Sequence, residues 1–336
     1  VDFAAIGEVK DWVTAAFNIR YNDGVPGIST GNGIVNRRLY IEKALMTLGN
    51  LNRSPFYATF ARSNAPFGEF DTEMVSGSLA EAIGLIWTEY VQLGFTQGEN
   101  GFSGAVFAFK PKTTTSNNQF VGGVHVAYRI NNEKFRGKTN VSFVGNIADA
   151  FGYQFTGLPG FPGFGATPGT QFIQHFVPAI AFRTEGRIGK FGYGFEGIVP
   201  TRDFNPMDLA HIKPDGSING ARPMAFVIEG SYNFKAGGYP WAFALGYATS
   251  REAYVLGLPK ERYSAVIKTA LWRDTRQSLE FRHEKDYPAG TGGCGRGVVL
   301  PAFDGTSVAY DFGCIPVPVS TGGSSNAVIL RLDTYF

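Results

Sequence analysis

The last ten residues, 327–336, read AVILRLDTYF. In extended chain Val328, Leu330, Leu332, Thr334 and Phe336 share one face, and Ile329, Arg331, Asp333 and Tyr335 share the other. A soluble sandwich would bury the apolar face and wet the charged one. A membrane barrel turns the apolar face to lipid and encloses water with the charged one. The terminal rings of Tyr335 and Phe336 favour the barrel, because they fall where a bilayer interface would lie. One strand does not decide the matter; repetition along the chain does.

The pattern recurs. Residues 177–188 and 191–199 form the clearest hairpin, joined by Gly189-Lys190, a two-residue turn of a favoured kind. Phe191, Tyr193 and Phe195 oppose Gly192, Gly194 and Glu196, while the partner strand sets Arg183, Glu185 and Arg187 on its polar face. Alternation breaks at Gly197, which predicts a glycine bulge or a strand end. Another bulge is expected in 38–48, where Lys43 shares a parity with Leu39 and Ile41. Fifteen candidate strands emerge in all. Their connections alternate short (10–12, 50–55, 98–101, 131–135, 189–190, 235–240, 273–275) and long (22–37, 65–84, 111–119, 149–176, 200–223, 250–261, 288–326). Short turns on one rim and long loops on the other are the habit of outer-membrane barrels; a soluble sandwich has no reason to keep that rhythm.

The fold class is therefore all-β: a transmembrane antiparallel β-barrel, one domain over 1–336, with long extracellular loops at 22–37, 65–84, 149–176, 200–223 and 288–326. Single-chain bacterial barrels carry even strand counts. Fifteen strands then call for one more before Val1, giving sixteen; the alternative is fourteen, with 1–9 outside the membrane. Sixteen strands leave an aqueous channel where eight do not.

Composition agrees. The 336 residues are 15% aromatic and only 17% charged, with 44 Gly, and mean hydropathy is −0.06. No apolar run reaches the roughly 18 residues of a spanning helix. A net charge of +2 leaves no nucleic-acid footprint. No signal peptide stands at Val1, so the chain reads as a processed or truncated form. Cys294 and Cys314 share one Gly-rich stretch. Two free thiols or a disulfide are both open, and an oxidising compartment favours the disulfide, which would stabilise its loop by roughly 3 kcal/mol.

Four segments carry a family resemblance: TLGNLNRSPFYATFARSNAPFGEFDTEMVS at 47–76, GNIADAFG at 145–152, LGYATSREAYVLGLPKERY at 245–263 and HEKDY at 283–287. In these the chain resembles the legiobactin-receptor-like (LbtU) family of outer-membrane siderophore porins. The resemblance implies a barrel of this size, uptake of small iron chelates without a plug domain, and an N-terminal coiled-coil segment that this chain lacks.

The polar strand faces direct Arg20, Glu42, Arg129, Arg183, Glu185, Glu196, Glu229, Lys268, Glu280, Arg282, Arg331 and Asp333 towards the lumen. Charges of both signs in a wet pore set a transverse field that tunes which solutes pass; paired across strands, they merely keep the lumen hydrated. Segment 65–84 is the candidate for a loop folded inward as a constriction. It offers Glu69, Asp71, Glu73 and Glu81, with a helical turn at 78–83. A second inward candidate is 200–223, where Asp208, His211 and Asp215 lack metal-ligand spacing. His125, His175 and His283 stand alone, and Trp12, Trp87, Trp241, Trp272, Tyr128 and Tyr287 read as interfacial girdles. No catalytic triad, nucleophile elbow or phosphate loop is recognisable, so no enzyme activity and no cofactor is expected.

The leading function is a bacterial outer-membrane porin giving passive, plug-free diffusion of small polar solutes. A selective receptor for ferric siderophores is the alternative that the resemblance implies. A structural or adhesive barrel working through its loops is the third reading. Expected partners are outer-membrane lipid and lipopolysaccharide, a small polar solute or ferric chelate, and two further copies in a homotrimer.

Overall fold

The computed structural model describes residues 2–9, 11–21, 39–115, 119–156, 158, 161–166, 170–296, 314–316 and 319–334. The expected loop 22–37, the side chain of Cys314, and Tyr335 and Phe336 lie outside them. Eight strands occupy the first half: β1 (Asp2–Val9), β2 (Val13–Tyr21), β3 (Leu39–Leu48), β4 (Phe56–Asn64), β5 (Trp87–Thr96), β6 (Gly101–Phe109), β7 (Val121–Asn131) and β8 (Phe135–Val144). The second half carries β9 (Ala179–Ile188), β10 (Phe191–Pro200), β11 (Leu209–Ile212), β12 (Ile218–Gly220), β13 (Met224–Ala236), β14 (Tyr239–Arg251), β15 (Glu261–Thr269), β16 (Thr275–Lys285), β17 (Gly292–Arg296), β18 (Cys314–Pro316) and β19 (Ser324–Thr334). Two short helices, α1 (Leu79–Gly84) and α2 (Phe151–Gln154), lie in the long connections. No helix among the described residues is long and apolar enough to cross a membrane, which says nothing of crossing by strands.

Fifteen of the strands form one antiparallel sheet in chain order, β1 to β10, β13 to β16, then β19. Strands β12-β11-β17-β18 form a separate four-stranded sheet from the long connections 201–223 and 286–323. The expected rhythm of short and long connections holds throughout.

Burial in the large sheet is inverted relative to a soluble protein. Leu330 is 78% exposed, Leu93 64% and Phe195 40%, whereas Glu280 is fully buried, Glu196 2% exposed and Arg183 6%. Apolar residues facing outward and charges enclosed is the distribution of a lipid-bathed barrel. The enclosed face is not uniform. Towards the long-loop rim it is dry: Phe67, Ile83, Phe107, Phe109, Tyr153, Phe164 and Phe204 belong to one apolar cluster. That cluster unites the loops with the wall.

Two expected irregularities resolve differently. Opposite Asn18 and Ile19 of β2 the register of β3 slips by one residue, leaving Glu42 without a cross-strand partner and pairing Lys43 with Asn18. The bulge turns Lys43 off the outward face whose parity it shares with Leu39 and Ile41. At Gly197 there is no bulge: β10 pairs without interruption from Phe191 to Pro200. A Cβ at Gly197 would lie 2.6 Å from the Phe182 ring and 2.8 Å from that of Phe226, so neighbouring rings cover the glycine. Ile198 accordingly faces inward, where it is fully buried in the apolar cluster. Residues 145–148, expected to continue a strand, instead leave it for a 3₁₀ turn whose start is capped by Asn146. Tyr287 is no girdle residue; it is 5% exposed and its hydroxyl accepts from the Ala253 amide.

Candidate functional site

The long connection after β4 does not stay at the rim. Its start is bent at Gly68, whose φ is +71° and whose missing Cβ leaves room for the Phe70 ring. Its end is the short helix α1, which Ser78 caps by accepting from the Glu81 amide at 2.9 Å. Leu79, Ala80 and Ile83 then pin that helix into the apolar cluster. Between these fixed points the segment 69–77 has no secondary structure, so its amides need partners elsewhere. Wall side chains supply them.

Glu229 of β13 accepts from the Thr72 hydroxyl and, at 2.8 Å, from the Glu73 amide. Glu280 of β16 accepts from the Val75 amide at 2.5 Å, the Ser76 amide at 2.9 Å and the Ser76 hydroxyl at 2.5 Å. Arg262 of β15 donates to the Gly77 carbonyl at 2.8 Å. Arg183 of β9 donates to the Asp71 carbonyl and also pairs with Glu185 at 2.6 Å and Glu196 at 2.7 Å. Lys138 pairs with Glu69, and Lys268 with Glu73 at 3.0 Å. Buried charges in this number are tolerable only because each meets an opposite charge or a converging hydrogen bond. The segment is thus tied to the enclosed face from β8 round to β16.

Of the residues singled out in the sequence, Glu69, Asp71, Glu73, Arg183, Glu185, Glu196, Glu229, Lys268 and Glu280 meet at this anchorage. Arg129 joins Glu69, Asp71, Glu73, Arg183, Glu185 and Glu229 in lining a cavity of about 550 Å³. The rest pair away from it: Arg20 with Glu42 at 2.5 Å, Arg282 with Glu284 at 3.5 Å and Arg331 with Asp333 at 2.7 Å. A split field of bare acids against bare arginines does not result, because Lys138 and Lys268 neutralise two of the loop acids. Lys138, Arg136 and Arg262 were missed. Each shares the parity of its strand's polar face, but each lies within three residues of a strand end, where alternation is too short to read. His125 is not isolated: its Nε2 lies 3.7 Å from Glu69 and its Nδ1 2.8 Å from the Ser142 hydroxyl.

Above this lies the folded long-loop rim. Asp149 is 2% exposed and accepts from the Lys112 and Thr113 amides, each at 2.8 Å, and from the Thr113 hydroxyl at 2.9 Å. Burial nevertheless pushes its pKa up to about 6, the hydrogen bonds and Lys112 only partly opposing that. Asp208, expected in a second inward segment, instead pairs with Arg296 at 3.2 Å beside β11; burial raises its pKa too. Cys294 is 3% exposed on β17, which pairs with β18 so that Cys314 stands opposite Arg296. A second cavity of about 450 Å³ opens here between Tyr254, Leu258, Glu284, Asp286 and Ser325. Among the described residues no three His, Cys, Asp or Glu side chains gather as metal ligands.

An inside-out antiparallel barrel with a tethered inward loop defines an architectural class, that of the outer-membrane porins. Two solved structures share the fold: OmpF of Salmonella typhi in complex with daunomycin, and OprB of Pseudomonas putida at high pH. The first has TM-score 0.51 and 9% identity over 98% of this chain and 89% of its own. The second has TM-score 0.50 and 9% identity over 96% and 83%. In sequence the chain is similar to a UPF0422 protein of Legionella pneumophila (strain Lens), 30% identical over 332 residues, 96% of this chain and 58% of the relative. A UPF0422 protein of Coxiella burnetii is 28% identical over 308 residues, 89% and 59% respectively. The chain therefore spans about three-fifths of the length of the curated relatives it matches. No family model matches.

Proposed function

We propose that this chain is the channel-forming barrel of a bacterial outer-membrane porin, through which small polar solutes diffuse passively. The observation that carries the reading is the anchorage of 69–77. A loop held across a water-lined lumen by Glu229 and Glu280 narrows a pore without closing it. In this reading the short turns face the periplasm, the long loops face outward, and the exposed apolar faces meet lipid and lipopolysaccharide. A sixteenth strand belongs to it as well, since β1 and β19 run in the same direction and antiparallel closure needs one between them. So does a Cys294–Cys314 disulfide joining β17 to β18.

Planar-bilayer recording tests the proposal. Steady ohmic openings are expected, with larger conductance in the Glu229→Ala/Glu280→Ala variant whose loop is untied. A folded wild-type protein that never opens would overturn it.

A second reading, selective uptake of ferric chelates, draws on the outer mouth, where the long loops fold around a cavity of about 450 Å³. It expects ferric chelates, and not sugars, to block the current.

A further inference from the structure

Near the short-turn rim three guanidiniums have been left over. Arg129 on β7, Arg136 on β8 and Arg187 on β9 all line the cavity of about 550 Å³. Register sets Arg136 directly opposite Arg187, and Arg129 directly opposite Lys138. Like charges facing each other across an antiparallel ladder repel. Only Lys138 has its charge offset, by Glu69. None of the three arginines makes an ion pair or side-chain hydrogen bond among the described residues. The acids nearby are engaged elsewhere: Glu185 with Arg183, Glu73 with Lys268, Glu229 with the Thr72 hydroxyl and the Glu73 amide. Of the lining carboxylates, Asp71 and Glu229 have no ion-pair partner among the described residues, and Glu229 is occupied by the loop.

The wall is also hollowed at this point. On its other side Arg187 stands opposite Gly192, and Gly194 follows on the same face, so β10 adds no side chain over the guanidinium. Cations brought together against their own repulsion, beside open volume, are what a bound anion would relieve. Guanidinium forks match carboxylate and phosphate oxygens two at a time.

We propose that Arg129, Arg136 and Arg187 form a subsite for small solutes bearing carboxylate or phosphate groups, met on the short-turn side of the inward loop. The proposal rests on the channel reading, which makes this face accessible to solutes.

Calorimetric titration of the detergent-folded chain at low salt tests it, with citrate and inorganic phosphate as separate probes. Citrate is expected to bind, more weakly as salt rises. The Arg129→Gln/Arg136→Gln/Arg187→Gln variant is expected to lose roughly tenfold or more in affinity. Arg273→Gln, on an exposed turn, is the control and leaves binding unchanged. Citrate binding without phosphate binding assigns a polycarboxylate; binding of both assigns acid groups of either kind. A wild type that takes up neither probe overturns the subsite, as does a folded triple variant that binds citrate like the wild type. Conductance is recorded on the same preparations: steady openings with citrate binding unaltered by the variant sink the subsite alone, whereas a silent bilayer sinks the channel reading.

Discussion

Glu280 shows how much one enclosed carboxylate does. It is fully buried and receives two amides and a hydroxyl from the inward loop. Truncating it strands those donors, and an unsatisfied buried donor costs about 1–3 kcal/mol. Glu280→Ala should therefore lower the urea midpoint of the detergent-folded protein, while Glu280→Gln, which keeps an acceptor, should lower it less. Equal midpoints for the two would contradict the hydrogen-bond account. Asp149 gives a pH signature at the long-loop rim. Its folded pKa of about 6 lies above the ordinary 3.8, so the folded state holds the proton more tightly than the unfolded one. The stability it contributes is full below pH 3.8 and is lost as pH rises through about 6, a change of about 3 kcal/mol. Thermal melts from pH 4 to 8 should fall across that window, and Asp149→Asn should flatten the fall.

At the scale of elements, Gly197 offers a sharp test. The Phe182 and Phe226 rings occupy the place a Cβ would take, so Gly197→Val overpacks the outward face by about 1–3 kcal/mol. Lowered thermal stability with unchanged strand content by circular dichroism is the expected result. The same position shows where sequence reading stops. Period-two alternation disclosed the strands, their hairpins and even the bulge near Lys43, because each side chain's face follows from local geometry. It misjudged Gly197, since the rings that make a straight strand tolerable there come from neighbouring strands. The short helical turn at 78–83 was legible. Its burial beneath the loops was not, because the apolar cluster assembles Phe67, Tyr153 and Phe204 from distant connections. Likewise the acids of 69–73 were visible, but their pairing with Lys138 and Lys268 depended on where the loop crosses the wall.

For the molecule as a whole, the inverted distribution of burial sets its solubility. Leu330, Leu93 and Phe195 lie on a broad outward apolar surface, which water does not tolerate at this extent. The purified protein should stay dispersed only in detergent or lipid, and dilution of the detergent should precipitate it within one assay, read by light scattering. A monodisperse detergent-free protein would contradict the membrane assignment. Salt should matter little to the Arg183–Glu196 ion pair, because both side chains are buried where screening is weak.

The inward loop is gripped largely by its main chain: Glu229 and Glu280 take the amides of Glu73, Val75 and Ser76, and Arg183 takes the Asp71 carbonyl. Amides belong to every residue but proline. Side chains at 71, 74 and 75 are consequently free to drift in evolution, or be exchanged by an engineer, while the strap itself stays fastened. On the channel reading, permeability can be retuned there without rebuilding the staves.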